Sequence, residues 1–268
     1  MATIPIDKYR DIALALNRIE MEEDVIILGA IESGSRAWGF SSPNSDYDIR
    51  FIYKRRKNDY LSLAYNRTHE VIERKYPGDL DVSGWDIRKA LQLGARSNPS
   101  LAEWAVSPIC YRGRPFMDSL AGLIESTYSL DTLIRAYRSM ARGNYVKYIK
   151  DREIVSYKRY LYVLRPLLME RWMLYHQEPA PMVFDKVRRV PIAIPGFNEE
   201  VDELIRRKTS GEEMGKGPRL PAIDSFIQVA VASTPCGIKP TFDEGSSSLP
   251  TYDTFLFAHL NAPYSPGS

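Results

Sequence analysis

The sequence predicts an α+β protein: a small mixed β-sheet with helices in the N-terminal half, followed by an all-helical C-terminal half. Three observations carry that expectation. Val25-Ile26-Ile27-Leu28-Gly29-Ala30-Ile31 is a continuous apolar, largely β-branched run, as expected of a strand covered on both faces. Short strand-like segments, punctuated by turn residues, continue as far as Trp85. From Asp86 onward the apolar residues recur at helical spacing.

Residues 8–21 place Ile12, Leu14, Leu16, Ile19 and Met21 at mostly helical spacing and predict an opening helix. The buried strand follows, and Ser33-Gly34-Ser35 breaks it. Arg36 to Phe40 suit one helical turn, and Ser41-Ser42-Pro43-Asn44-Ser45 is turn chemistry. Asp48 to Tyr53 is the second strand, His69 to Tyr76 the third, and Asp79 to Trp85 a short fourth after the Pro77-Gly78 turn. Asp86 is placed to cap a helix that starts at Ile87. Asn98-Pro99 interrupts that helix, and 101–106 forms another. Long helices are expected over 116–128, 130–150 and 153–176, the last kinked or divided by Pro166. Two more are expected over 198–208 and 222–232. From Ser233 the chain is rich in Pro, Gly and Ser (GSSSLP, APYSPGS) and reads as a loosely packed or extended arm. The expected division is 1–112, a helical domain over 113–232, and a tail over 233–268.

Composition excludes several classes. The net charge of +2 is too small by itself to argue for nucleic acid or a membrane surface. The two cysteines, Cys110 and Cys236, cannot build a disulfide framework, which points to a reducing, cytoplasmic setting. His69, His176 and His259 lie far apart and form no zinc spacing. The first ten residues are polar and charged, unlike a secretory signal, and the apolar runs are too short to span a bilayer.

The chemistry-bearing residues lie between the first two strands. Gly34-Ser35 follows the buried strand. A plain strand-to-helix connection with Ser35 as cap explains that turn alone; a phosphate cradle is the functional reading. It is not a P-loop, because GxxxxGK[ST] is absent. Asp46 and Asp48 follow with one residue between them, so that on a strand both carboxylates point one way. Asp46 fits an Asx turn. Asp48, heading Ile49-Arg50-Phe51-Ile52, is costly unless paired or metal-bound. A third carboxylate would complete a cage for two Mg²⁺ ions. Asp79, Asp81 and Asp86 are the candidates, and Asp81 is preferred because Asp86 has the opposite strand parity and sits where a cap is needed.

Gly34-Ser35, then Ser45-Asp46-Tyr47-Asp48-Ile49-Arg50, then Asp81 on a later strand resembles the polymerase-β nucleotidyltransferase superfamily, with its GS, spacer, DxD and one further acid. More narrowly, ESGSRAWGFSSPNSDYDIRFIY with GWDIRKAL, SNPSLAEW and SPICY is similar to nucleotidyltransferases associated with RNA repair and RNA ligases in bacteria and phages. The likeness is strong over 32–53 and 79–111, and looser over 130–176. It implies a polymerase-β-type core and a helical half that closes over a cleft. It also implies that Gly34 and Ser35 contact a nucleoside triphosphate, that Asp46 and Asp48 hold two Mg²⁺ or Mn²⁺ ions, and that Asp81 binds the catalytic metal and helps deprotonate the attacking hydroxyl. The implied reaction transfers a nucleoside monophosphate, with an RNA 3′ end as preferred acceptor. A protein or small-molecule acceptor, or a catalytically silent binding module, are the alternatives.

Other residues are weaker. Arg36 suits a phosphate contact and a surface arginine about equally, and Arg50 is placed to neutralise Asp48. Lys89 lies early in its helix, where the dipole does not favour a cation, which hints at an anionic partner. Glu103 and Trp104 read as packing and pairing residues. Residues 135–171 hold ten Lys/Arg against three acids, with six tyrosines interleaved. Such a mixture can track a phosphate backbone and stack on bases, although solvated faces explain most of it. Lys158, Tyr162 and Arg165, at i, i+4 and i+7, share one helix face and are the residues assigned to nucleotide binding.

Overall fold

The computed structural model describes residues 4–62, 70–211, 214–233 and 248–264. The elements run in chain order as α1 (Ile6–Glu23), β1 (Ile26–Glu32), α2 (Gly34–Trp38), β2 (Tyr47–Lys54), α3 (Lys57–Leu61), β3 (Val71–Tyr76), β4 (Leu80–Asp86), α4 (Ile87–Ala95), α5 (Pro99–Ala105), β5 (Cys110–Arg112) and α6 (Arg114–Thr127). They continue as α7 (Leu130–Tyr148), β6 (Ile154–Ser156), α8 (Tyr157–His176), α9 (Phe184–Val187), α10 (Phe197–Thr209), β7 (Lys216–Pro218), α11 (Pro221–Ala232) and α12 (Leu249–Asn261). No helix among the described residues is long and apolar enough to cross a membrane. Contacts divide the described residues into two units: one from Met1–Ala37, Asp46–Tyr128 and Phe242–Ser268, the other from Trp38–Ser45 and Ser129–Thr241.

The first unit is built on a five-stranded sheet in the order β3-β4-β2-β1-β5. Only β2 and β4 run parallel; the other neighbours are antiparallel. Alternation sends Ile49, Phe51, Tyr53 and Val82 into one core, where Ile12, Leu16 and Ile19 of α1 cover them. Ile31, Ile52 and Ile87 enter a second core on the other face, with Leu101, Leu120, Tyr252 and Leu256. Covering both faces explains why β1 reads as an unbroken apolar run.

Helix α12 corrects the expectation of an extended arm. Its Tyr252 and Leu256 are buried, and the Tyr252 hydroxyl lies 2.8 Å from Thr127 Oγ1. At its C-terminal end the buried Lys54 Nζ donates to the carbonyls of His259 (2.9 Å) and Ala262 (3.1 Å). A cation there meets the negative end of the helix. Residues 234–247 and 265–268 of the tail lie outside the described residues, as do Cys236 and His69.

In the second unit α7 packs along α8, and a buried Arg138–Glu170 ion pair joins them. Among its described residues the regular structure is helical apart from β6 and β7, which pair antiparallel over three residues each. The helix expected over 153–176 begins at Tyr157, after β6, and runs unbroken through Pro166. Proline removes the N–H that the carbonyl four residues earlier would accept. That carbonyl belongs to Tyr162, and Asn144 Nδ2 on α7 donates to it at 2.9 Å, so the helix continues.

Candidate active site

The parallel register of β2 and β4 sets Asp48 directly opposite Asp81. Strand alternation puts Asp48 and Arg50 on the face that carries Ile52 further along. Arg50 Nη2 donates to Asp48 Oδ1 at 3.2 Å and to Asp81 Oδ2 at 3.0 Å. Its Nη1 donates to the carbonyls of Ile49 and Asp81, both at 3.0 Å. The Asp48 and Asp81 side chains keep 27% and 40% of their exposure, so the pair faces solvent while held in place.

The Ser33-Gly34-Ser35 turn lies against this pair. Gly34 has φ +62°, and a Cβ built there would stand 2.0 Å from Asp48 Oδ2. Only glycine tolerates both the conformation and the contact. The Ser33 amide donates to the Asp48 carbonyl at 2.8 Å, and Ser35, half-buried, follows in α2. Arg36 is buried: its guanidinium stacks on the Tyr47 ring at 3.8 Å, and its Nε donates to the Asp46 carbonyl at 3.2 Å. Asp46 itself lies just ahead of β2 and is exposed.

Sequence reasoning missed Glu32. It ends β1 with no exposed surface; its Oε1 accepts the Asp48 amide at 3.0 Å and its Oε2 the Tyr111 hydroxyl at 2.6 Å. Burial pushes its carboxyl up to about 7, against the pull of those two donors, and the Asp48 charge adds to the rise. Burial and the facing carboxylate likewise raise the Tyr111 hydroxyl above its ordinary value. The available signal was an acid closing a wholly apolar strand, which is stable only when its oxygens find donors.

The other acids are used differently. Asp79 sits in the β3–β4 turn at φ +61°, exposed, and its carbonyl accepts the Tyr47 amide at 2.8 Å. Asp86 is buried and caps α4, accepting from the Arg88 amide at 2.8 Å and the Tyr60 hydroxyl at 2.7 Å. Burial raises its carboxyl to about 6. Lys89 finds a carboxylate partner in Glu70 at 4.0 Å, and Trp104 stacks on Trp85 with ring centroids 3.9 Å apart. Lys158, Tyr162 and Arg165 all lie on α8, in the second unit, whereas the acids belong to the first. Lys158 is exposed, Tyr162 half-buried beneath Arg159, and Arg165 buried against the Trp38 ring at 4.2 Å.

Among the described residues no three His, Cys, Asp or Glu side chains are grouped to hold a metal ion. The donor chemistry nonetheless fits a hard cation. Two carboxylates converge on one positive group, the Arg50 guanidinium, and carboxylate oxygens are what Mg²⁺ and Mn²⁺ prefer.

The uncharacterized protein YcgL of Bacillus subtilis (strain 168) is 40% identical over 217 residues, covering 81% of this chain and 82% of its own. A sequence profile described as the RNA repair pathway DNA polymerase beta family matches residues 9–249, a span that takes in the turn, the three acids and the helical half. The chain therefore belongs to this polymerase-beta-like nucleotidyltransferase family, with its RNA repair connection.

Proposed function

We propose that the protein transfers a nucleoside monophosphate from a nucleoside triphosphate to a hydroxyl acceptor, an RNA 3′ end. The observation that carries this reading is the Asp48–Asp81 pair, opposed on parallel strands with the Gly34 turn pressed against it. Mg²⁺ or Mn²⁺ held by Asp46, Asp48 and Asp81 would supply neutralisation of charge on the phosphate and on the entering and leaving oxygens. Gly34 and Ser35 contact the triphosphate in this reading. Arg36 keeps Asp46 and Tyr47 in place from behind rather than reaching out to phosphate. Asp81 takes the proton of the attacking hydroxyl as its oxygen bonds to the α-phosphorus and pyrophosphate leaves. Holding the hydroxyl in line with the leaving oxygen contributes most of the remaining acceleration. The excess of basic residues over 135–171 supports RNA as acceptor.

The test is incubation with each α-labelled nucleoside triphosphate, Mg²⁺, and RNA ending in either a 3′-hydroxyl or a 3′-phosphate. Extension of the hydroxyl-ended RNA alone is expected. Label found only on protein, or no transfer to any acceptor, would overturn the reading.

A further inference from the structure

We propose that Glu32 and Tyr111 are positioning residues, which fix the Asp48 backbone and thereby set how tightly the acid pair binds a divalent cation. The inference rests on the metal-dependent reading above and adds to it two residues outside the GS and DxD pattern. The β1–β2 register ends at Glu32 opposite Ile49, one residue short of Asp48. Beyond that point residues 32 and 33 replace the ladder. Glu32 Oε1 accepts the Asp48 amide at 3.0 Å, and the Ser33 amide donates to the Asp48 carbonyl at 2.8 Å. Both main-chain polar groups of Asp48 are thus held by adjacent residues, and its carboxylate abuts Gly34, the next in line.

Glu32 is itself held on every side. Tyr111 of β5 donates its hydroxyl to Oε2 at 2.6 Å, Ser107 Oγ donates to the Glu32 carbonyl at 2.6 Å, and the Glu32 amide donates to Ile109 O at 2.9 Å. A buried carboxyl with two fixed donors is a rigid peg, and Asp48 hangs from it. Glu32 has no exposed surface, so it acts through Asp48 and not on substrate. Outer partners of metal ligands typically change affinity by about 10- to 100-fold when altered.

The experiment titrates the full chain with Mn²⁺ and follows free Mn²⁺ by electron paramagnetic resonance, comparing wild type, Glu32→Gln, Tyr111→Phe and Asp48→Asn. Gln keeps an acceptor for the Asp48 amide but turns a donor toward Tyr111. About tenfold weaker binding is expected for Glu32→Gln, a smaller loss for Tyr111→Phe, and loss of the site for Asp48→Asn. A purely structural role would lower the melting temperature and leave Mn²⁺ affinity unchanged. If both Glu32→Gln and Tyr111→Phe bind like wild type while Asp48→Asn does not, the positioning role is wrong and the metal reading stands. If Asp48→Asn binds like wild type, the metal reading fails and takes the proposal with it. Should Glu32→Gln not fold, Tyr111→Phe, which lacks only a hydroxyl, decides alone.

Discussion

Asp48 and Asp81 face each other across two parallel strands, and a single guanidinium, that of Arg50, bonds to both, at 3.2 and 3.0 Å. Neither aspartate side chain is fully buried, so the ion pairs themselves contribute little to stability, on the order of 1 kcal/mol or less. Asp48→Asn and Asp81→Asn should therefore melt close to wild type while losing more than about 100-fold in turnover with α-labelled triphosphate. Near-wild-type turnover in either variant would remove that acid from the site.

Gly34 separates a phosphate-turn role from an acid-spacing role. The Cβ of Gly34→Ala would collide with Asp48 Oδ2 at 2.0 Å and sit at φ +62°. A destabilisation of about 1–2 kcal/mol is expected in chemical denaturation, with turnover lost alongside. Because the clash is with the carboxylate, Mn²⁺ affinity should fall too, which a clash with nucleotide alone would not cause.

Pro166 and Asn144 form a thermodynamic pair. Asn144→Ala leaves the Tyr162 carbonyl without its donor and should cost about 1–2 kcal/mol. Pro166→Ala restores a main-chain N–H four residues on, so Asn144→Ala should cost much less in that background. Denaturant unfolding of the four proteins of this cycle gives the coupling directly; additive losses would show that the Asn144 bond does not serve the helix.

Asp86 predicts a pH dependence whose sign follows from its environment. Burial raises the carboxyl from 3.8 to about 6, so the folded chain binds that proton more tightly than the unfolded chain. Its contribution to stability is then greatest below about pH 4 and is lost as pH climbs to about 6, a fall on the order of 2–3 kcal/mol. Asp86→Asn, which still offers an oxygen to the Arg88 amide, should lack that part of the fall. Glu32, raised to about 7, contributes its own decline in both proteins, so the difference between their denaturation curves at pH 4–7 isolates Asp86.

Much of the first unit was readable because period-two alternation and a doubly covered strand leave strong local signals. The Val25–Ile31 run, the strand through Ile49–Tyr53 and the Asp86 cap are of that kind, whereas Asp46, expected to share a strand face with Asp48, falls just ahead of β2. What escaped depends on partners distant in sequence. The three residues of β5 are a strand only because β1 offers them an edge. The peg role of Glu32 needs the Tyr111 hydroxyl, and the passage of α8 through Pro166 needs a side chain on α7. Helix α12 was hidden by the Pro, Gly and Ser around it, although Tyr252, Phe255, Leu256 and His259 keep i, i+3, i+4, i+7 spacing within.

The mixed sheet also sets an order of events. β3 and β4 are joined by the short turn at 77–79, so they can close as a local hairpin. The parallel β2–β4 contact joins strands separated along the chain by α3 and β3. Non-local parallel pairings form slowly, because the intervening loop must close before any contact rewards it. During refolding, then, helix and hairpin signals should recover first, and divalent-cation binding should return only in the last phase, when the two acids finally meet.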